Sequence, residues 1–275
     1  MSPQCPTAFY KAQVGTPIVG TMYSQWVAPG SPGAGTIPPT GTISGQFYTS
    51  SAAQQAGQLR FPVAVAGDTI YLTRFAACSN TTGTLILADR IWGDSLSPLS
   101  NTGNSVQAAA AVWSGSFPRS AGIGGGDSSG TGLCMAMEVY TAMGGTASTP
   151  KVTYINSSGN GDTAVLAYAM PASAVAGTFI PFNLAQKTGA VVGNFGVRSV
   201  SSFHQFATKT SGVWGITVYR PLAYIPCPVA GVAGVVDALT SGFPIMFPNT
   251  VPMIIWMAGT VTVPVIAGQF AWAMG

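Results

Sequence analysis

The sequence predicts an all-β protein: an antiparallel, jelly-roll-like β-sandwich that follows an extended N-terminal arm. From Leu59 onward, short runs rich in Val, Ile, Thr and aromatic residues are separated by turns rich in Gly, Asn and Ser, at roughly 8–12-residue spacing. No long segment shows the helical hydrophobic period of about 3.6 residues. A third observation, the concentration of proline before residue 57, predicts the arm.

The arm is expected to span residues 1–57 and the sandwich body residues 58–275, with a possible subdivision near residue 145. Proline fixes an extended backbone and removes a hydrogen-bond donor, so the arm should contain only short edge strands. Its aromatic residues would be costly to leave in water, so we expect it to lie along its own body or along a neighbouring subunit. The body should then fold without the residues before Leu59.

Twelve segments of the body are predicted strands. They are residues 60–65, 69–76, 84–92, 133–140, 151–155, 163–168, 190–195, 199–206, 213–219, 253–257, 261–266 and 270–273. Residues 51–58 and 105–113 are predicted short helices, because they are rich in Ala and Gln and begin with Ser. The long Gly- and Ser-rich loop over residues 101–132 is expected to lie at an interface or on the outer surface.

Charged residues are scarce. They make up 6% of the chain, against roughly 25% in ordinary soluble domains. A surface with so little charge offers no barrier to association and suits burial against neighbours. We therefore expect a non-enzymatic protein that works by assembling into a homo-oligomer, with a trimer as the specific guess.

The distribution of charge and of prolines limits the other partners. The net charge of +3 comes from cations that are spread thinly, so direct nucleic-acid binding is not expected. Prolines and glycines interrupt the uncharged run after Phe243, so no transmembrane helix and no membrane partner are expected. The first residues lack the features of a signal peptide, which predicts synthesis in a host cytoplasm.

The four cysteines are far apart and form no CxxC pair, so neither a metal site nor any cofactor is expected. Reduced thiols are the default for a chain made in a cytoplasm. Cys5, in the predicted arm, is the one cysteine placed to cross-link neighbouring subunits.

The strongest catalytic pattern is Gly126-Asp-Ser-Ser-Gly130, in which Ser128 matches the serine of G-x-S-x-G. The only histidine, His204, follows it, and Asp162 lies between them, which is the order of an α/β-hydrolase. That fold needs a strand–turn–helix context, whereas Ser128 lies in a glycine-rich loop among antiparallel strands. We therefore expect no catalytic residues, a loop role for Ser128 and a hydrogen-bonded structural role for His204, with a serine hydrolase as the least favoured alternative.

Four charged residues in predicted strands are informative. Glu138, the only glutamate, is expected on a strand face or in a buried ion pair rather than in a glycosidase site. Arg74, Asp89 and Arg90 are expected to be paired. An internal pair is favoured over a subunit contact.

We expect the two ends of the chain to make the principal subunit contacts. Alternate side chains of the C-terminal strands point away from the local core and must be covered, either by a second sheet or by a neighbour. The candidate contact residues are Tyr10, Trp26, Arg74, Asp89, Arg90, Trp256, Phe270 and Trp272.

A carbohydrate-binding sandwich is the alternative from another functional class. Trp92, Trp113, Trp214 or exposed tyrosines would then stack on sugar rings. Because these tryptophans lie in or beside predicted strands, packing in the core is the favoured interpretation.

One segment supports a resemblance to a known class. Residues 71–92, YLTRFAACSNTTGTLILADRIW, follow a Gly- and Pro-rich start and resemble the shell-associated virion proteins of tailed bacteriophages. This resemblance implies a structural virion protein, such as a capsid decoration or cement protein or a vertex or tail component. It also implies a location in the virion and a major capsid protein or other virion proteins as partners, and it transfers no functional residue.

Overall fold

The structure, a computed structural model, confirms an all-β chain. It describes residues 2–3, 6–38, 45–49, 54–62, 69–95, 105–107, 117–119, 129–184, 196–205, 209–241 and 245–275. The strands are β1 (Ser2–Pro3), β2 (Thr7–Ala12), β3 (Met22–Ser24), β4 (Gly30–Ser31), β5 (Gln46–Phe47), β6 (Ile70–Ser79), β7 (Gly83–Gly93), β8 (Ser105–Gln107), β9 (Cys134–Gly145), β10 (Lys151–Asn156), β11 (Gly161–Leu166), β12 (Thr178–Asn183), β13 (Val197–Gln205), β14 (Lys209–Cys227), β15 (Gly234–Asp237), β16 (Ile245–Met246), β17 (Pro252–Ala258) and β18 (Val265–Met274). One four-residue helix, α1 (Ala238–Ser241), follows β15. The large antiparallel sheets are those of a β-sandwich protein.

The chain divides into two compact units that are both discontinuous in sequence. Unit 1 comprises Met1–Thr36, Thr49–Asp89 and Pro221–Gly275, and unit 2 comprises Ile37–Tyr48 and Arg90–Arg220. The subdivision expected near residue 145 therefore falls inside unit 2 rather than at a boundary.

Unit 1 is built around a seven-stranded sheet. Its strand order is β15-β6-β18-β2-β4, with β1 also paired to β18 and β16 to β6. A second set of strands in this unit, β3-β17-β7, includes β7 as far as Asp89. In the first sheet the rings of Phe9 on β2 and Phe75 on β6 stack at 6.2 Å, so this core is formed by residues that are far apart in sequence.

The predicted N-terminal arm is part of unit 1. Strand β2 pairs with β18 over its full length, from Thr7 opposite Phe270 to Ala12 opposite Val265. Of the two alternatives, the arm therefore lies along its own body. Phe9, Tyr23 and Trp26, which lie before Leu59, are buried in this unit. The expectation that the body folds without the residues before Leu59 stays a prediction.

Unit 2 is organised around one sheet and one apolar core. The strand order is β14-β9-β12-β11-β10-β13-β8, and β5 pairs with the end of β7. The ring centroids of Phe203 and Trp214 lie 4.7 Å apart in the core. Burial alternates along β10 and β11, because successive side chains of a strand point to opposite faces and one face of each strand lies against the core.

Nine of the predicted strands are confirmed: those predicted at residues 69–76, 84–92, 133–140, 151–155, 163–168, 199–206, 213–219, 253–257 and 270–273. Residue 206 itself lies outside the described residues. The strand predicted at 261–266 is wrong at its start, because residues 261–264 form a bend and a loop and β18 begins at Val265. Residues 60–62 are not in a strand, and residues 63–65 and 190–195 lie outside the described residues.

Neither short helix is found in the part that the structure describes. Residues 105–107 form strand β8, and residues 54–58 contain a turn, while residues 51–53 and 108–113 lie outside the description. Strand pairing explains the first difference, since β8 pairs with β13. Local helix propensity is a weak preference that tertiary pairing readily overrides.

Candidate functional site

Six of the eight candidate contact residues are buried within their own chain. They are Trp26, Asp89, Arg90, Trp256, Phe270 and Trp272. Cover within one chain, the competing explanation, accounts for the burial of these six side chains. Tyr10 and Arg74 are exposed and stay predicted contact residues.

The buried tryptophans at the two ends of the chain pack in unit 1. Trp26 donates its indole N–H to the carbonyl oxygen of Thr36 at 3.0 Å. The ring of Trp272 packs near two phenylalanines, with its centroid 5.3 Å from that of Phe270 and 6.3 Å from that of Phe61. These aromatic residues stabilise the unit through burial and ring packing.

Arg90 and Glu138 form a buried ion pair in unit 2, with Arg90 Nη1 2.6 Å from Glu138 Oε2. Arg90 Nη2 donates to the hydroxyl of Tyr140 at 3.0 Å and to that of Thr217 at 3.2 Å, and Thr217 also donates to Glu138. The guanidinium carbon lies 4.6 Å from the ring centroid of Tyr48. The expectation of a buried ion pair at Glu138, and of an internal pairing of Arg90, is confirmed.

The electrostatics of this network follow from burial and from the ion pair. Burial by itself lowers the pKa of Arg90, but attraction to the Glu138 carboxylate, together with smaller contributions from Tyr48 and Tyr140, outweighs it and leaves that pKa above its ordinary value. Burial, and then the negative charge of Glu138, raise the pKa of Tyr140 well above its ordinary value. Arg90 therefore remains a cation and Tyr140 a neutral hydrogen-bond donor, which is an arrangement that holds strands together.

Asp94 follows this network on the same stretch of chain. Burial raises the pKa of its carboxyl group to about 7, and a hydrogen bond from the backbone of Ser95 only partly opposes this shift. The Asp94 backbone is held at both ends, because its carbonyl oxygen accepts a hydrogen bond from Tyr140 and its N–H donates to Ile216. The burial of Asp94 could not be predicted, since nothing in its local sequence indicates it.

Asp89 and Arg74 have separate environments in unit 1. The Asp89 carboxylate accepts hydrogen bonds from the backbone N–H of Val251 at 2.9 Å and the hydroxyl of Thr250 at 3.3 Å. It thereby fixes the turn before β17. Arg74 on β6 stands directly opposite Asp237 on β15, a cross-strand position that favours opposite charges.

The candidate catalytic residues do not form a described site. Ser128 lies outside the described residues. His204 has Ser202 Oγ 3.3 Å from its Nε2 atom, as expected for a hydrogen-bonded structural histidine. On strand β10, Lys151 lies opposite His204 and Tyr154 lies opposite Asp162. His204 and Asp162 are therefore offset by three residues, which is roughly 10 Å along the strand direction.

The remaining candidate residues are placed as follows. Trp92 and Trp214 are fully buried, which confirms the packing interpretation for both, while Trp113 and Cys5 lie outside the described residues. The other three cysteines are free thiols.

Within the described ranges, no cluster of three or more His, Cys, Asp or Glu residues is placed to hold a metal ion. In the same ranges, no helix is long and apolar enough to cross a membrane.

An open cavity of about 810 Å³ lies in unit 1 beside Trp272. Prolines 6, 32 and 62 line much of it, and Arg60 is the cationic residue in the lining. Arg60 is exposed, whereas Phe61 and Trp272 are almost completely buried. The cavity therefore presents one guanidinium group, that of Arg60, next to apolar side chains.

Exposed apolar side chains are unevenly distributed. Among the described residues, thirteen large hydrophobic side chains are exposed, and all but Val165 belong to unit 1. They are Tyr10, Val14, Ile18, Val19, Val165, Tyr224, Val229, Val232, Val235, Leu239, Ile245, Val261 and Val263. Exposed apolar side chains concentrated in one unit are typical of interaction sites, so the surface of unit 1 is the candidate functional site. Valines inside Gly- and Pro-rich turns were the sequence signal for it.

No protein-family model matches the sequence, and no curated protein matches it. Among solved structures, the chain is similar to the VP2 subviral particle of infectious bursal disease virus, with a TM-score of 0.21, 10% identity, and coverage of 98% of this chain and 80% of the other. A structure of the Gx strain of the same virus gives a TM-score of 0.18, 12% identity, and coverage of 99% and 81%. At TM-scores of this size the similarities support no conclusion about this chain.

Proposed function

We propose that the protein is a structural component of a virus particle and acts by assembling with further subunits. The observation that carries this proposal is the surface of unit 1, where twelve of the thirteen exposed large hydrophobic side chains lie. The scarcity of charge, 6% of all residues, removes the repulsion that keeps ordinary soluble proteins apart.

The energetics favour cover by a partner. A fully buried Val or Ile gains about 1.5–3 kcal/mol over a fully exposed one, so each half-exposed residue forgoes on the order of 1 kcal/mol. Nine exposed Val and Ile residues in unit 1, together with Tyr10, Tyr224 and Leu239, represent a driving force that a permanent neighbour can use.

A more specific proposal is that the protein belongs to the virion of a tailed bacteriophage, as a decoration or cement protein or as a vertex or tail component. It rests on the resemblance of residues 71–92, which form β6, the following turn and most of β7. Most residues of these strands are buried in the core. The segment therefore identifies no contact residue, and it supports the proposed class only through the resemblance of its sequence. A major capsid protein is the proposed shell partner.

The proposal is tested by sedimentation velocity and negative-stain electron microscopy of the purified full chain, together with mass spectrometry of particles from the virus that encodes it. We expect discrete assemblies in solution or many copies per particle. A chain that stays monomeric and is absent from particles contradicts the proposal. A glycan array on the same material tests the carbohydrate-binding alternative, for which Tyr10 and Tyr224 are the exposed tyrosines.

A further inference from the structure

Four connections of unit 1 meet on one surface, which we call the loop face. They are residues 13–21 between β2 and β3, 80–82 between β6 and β7, 228–233 between β14 and β15, and 259–264 between β17 and β18. None of the four contains a Lys, Arg, Asp, Glu or His residue.

Backbone hydrogen bonds tie these connections together. Gly20 N–H donates to the carbonyl oxygen of Ala258 at 2.8 Å, and Gly259 N–H donates to that of Thr82 at 3.0 Å. The first connection also meets the last, since Gln13 N–H donates to Pro264 at 3.2 Å. Residues 228–233 join through Gly231, whose N–H donates to Ser79 at 2.7 Å. The loop face is therefore a surface with fixed geometry.

Seven of the thirteen exposed large hydrophobic side chains belong to this face. They are Val14, Ile18, Val19, Val229, Val232, Val261 and Val263. Together they expose on the order of 500 Å² of apolar surface, at the upper end of what monomeric proteins leave in contact with water. Beside them lies a cavity of about 370 Å³, whose lining includes Val19, Cys227 and Met257.

The chemistry of the face separates two possible occupants. Surfaces that enter the lipid–water boundary combine apolar residues with Trp or Tyr and with Lys or Arg. The loop face has no Trp, Tyr, Lys or Arg and consists of Val, Ile, Pro, Thr, Gly, Ala, Asn and Gln. This composition favours a protein partner over a membrane.

We propose that the loop face docks on the loop face of a second copy of this chain. A neutral apolar face is complementary to itself, because two copies can meet about a rotation axis without bringing like charges together. Val and Ile are stiff side chains that lose little rotamer freedom when covered. The apolar area is below the roughly 800 Å² per partner of a standard interface, so polar loop atoms complete the contact.

In this contact an aliphatic side chain of one copy enters the cavity beside Val19 of the other. The inference rests on the proposed function and names the partner for part of the unit 1 surface. Sedimentation velocity measures the number of copies in the assembly.

The test uses full-length Val232→Lys and Val232→Glu variants, since this residue is 56% exposed and its replacement leaves the core intact. Leu239→Lys is the matched control, because Leu239 is 92% exposed in α1, outside the loop face. Sedimentation velocity from about 1 to 100 µM measures self-association, and near-ultraviolet circular dichroism checks the fold.

We expect each Val232 variant alone to weaken self-association at least tenfold, and an equimolar mixture of the two to recover it, because a face that carries Lys then meets a face that carries Glu. Leu239→Lys should associate like the wild type. Recovery in the mixture distinguishes contact between two copies of the same face from contact with a different surface, and absence of recovery overturns the proposal.

Two further outcomes separate the inference from the proposed function. If the wild type assembles and both Val232 variants assemble equally well, the loop-face contact is wrong while the structural function stands. If the wild type is monomeric and sediments with phosphatidylcholine vesicles unless Val232 is changed, the occupant is a membrane and the second-copy contact is wrong. A monomeric wild type that is also absent from particles contradicts the proposed function itself.

Discussion

Arg90 Nη1 lies 2.6 Å from Glu138 Oε2, and both side chains are completely buried, although the residues are 48 positions apart in the sequence. Removing two charges from water is costly, and the cost is recovered only where geometry is close and the remaining polar groups are bonded. Here Thr217 bonds to both members of the pair, and Tyr140 accepts a hydrogen bond from Arg90 while donating one to the Asp94 carbonyl oxygen. The pair therefore fixes the relative register of β7, β9 and β14 in unit 2.

Removing one member of this pair should lower the free energy of unfolding more than expected from removing both members together. Arg90→Met or Glu138→Leu alone leaves an uncompensated buried charge, so we expect each to lower the free energy of unfolding by about 3–5 kcal/mol. The double variant should lose clearly less than the sum of the two single losses. Urea unfolding followed by tryptophan fluorescence measures all three, with Lys151→Met on the exposed side of β10 as a control that changes charge without burial. Strictly additive losses would show that the two side chains do not act as a pair.

Much of this site was predictable from the sequence, but its pairing was not. The scarcity of charge made Arg90 and Glu138 conspicuous, and the strands that carry them were predicted within a few residues of their observed bounds. The partner of each could not be predicted, because strand order in a sheet depends on contacts between segments distant in sequence. For the same reason Asp94, whose burial arises from such contacts, was missed.

The N-terminal section shows the same limit. Its prolines correctly predicted short strands, and its aromatic residues correctly predicted that it would be covered. Nothing local in residues 7–12 indicates that they pair with residues 265–270 at the other end of the chain. Loop valines were also hard to interpret, since the alternation of residues 261–266 is typical of a strand whereas its first part is a loop.

Asp94 should make the stability of unit 2 depend on pH. Burial raises its pKa from an ordinary 3.8 to about 7. Between those values the folded state binds more protons than the unfolded chain, so this group lowers the free energy of unfolding as pH rises from about 4 to 7. We expect Asp94→Asn to be more stable than the wild type at pH 8, by about 4 kcal/mol at most, and to lose this advantage near pH 4.

The measurement is urea unfolding of both proteins from pH 4 to 8, with Asp162→Asn as a control on the partly exposed strand β11. The quantity to compare is the difference between variant and wild type at each pH, because other groups titrate in both proteins. A difference that stays constant across this range would mean that the Asp94 carboxyl group does not titrate there.

Lys11 should have the opposite effect in the alkaline range. Its ammonium group is buried in unit 1 and donates to the carbonyl oxygens of Ala28 at 3.2 Å and Gly33 at 3.1 Å. Burial lowers its pKa from 10.5 to about 8. Between these values the folded state binds fewer protons than the unfolded chain, so this group raises the free energy of unfolding as pH increases.

Thermal unfolding of the wild type and of Lys11→Met from pH 7 to 10 measures this effect. We expect the stability of the wild type relative to the variant to rise with pH across that range. The loss of two hydrogen bonds shifts the variant by a constant amount, so the slope carries the information. A flat or falling difference contradicts a buried, titrating lysine.

Two glycines near Trp26 allow a test of whether the N-terminal section is an integral part of unit 1. A Cβ atom added at Gly35 would overlap the indole ring of Trp26, whereas a Cβ added at Gly33 meets no atom within 4 Å. Trp26 cannot easily move away, because its ring is buried and its N–H is bonded to Thr36. We therefore expect Gly35→Ala to lower the free energy of unfolding by about 1–3 kcal/mol, as overpacking of a filled core does.

Gly33→Ala, only two residues away in the same segment, should be close to neutral in the same denaturation experiment. The pair of variants has identical composition and differs only in whether the new methyl group meets the packed indole ring. If residues 1–57 formed a separate arm, neither change would affect the unfolding of the body. Equal stability of both variants and the wild type would therefore contradict the packing of Trp26 in unit 1.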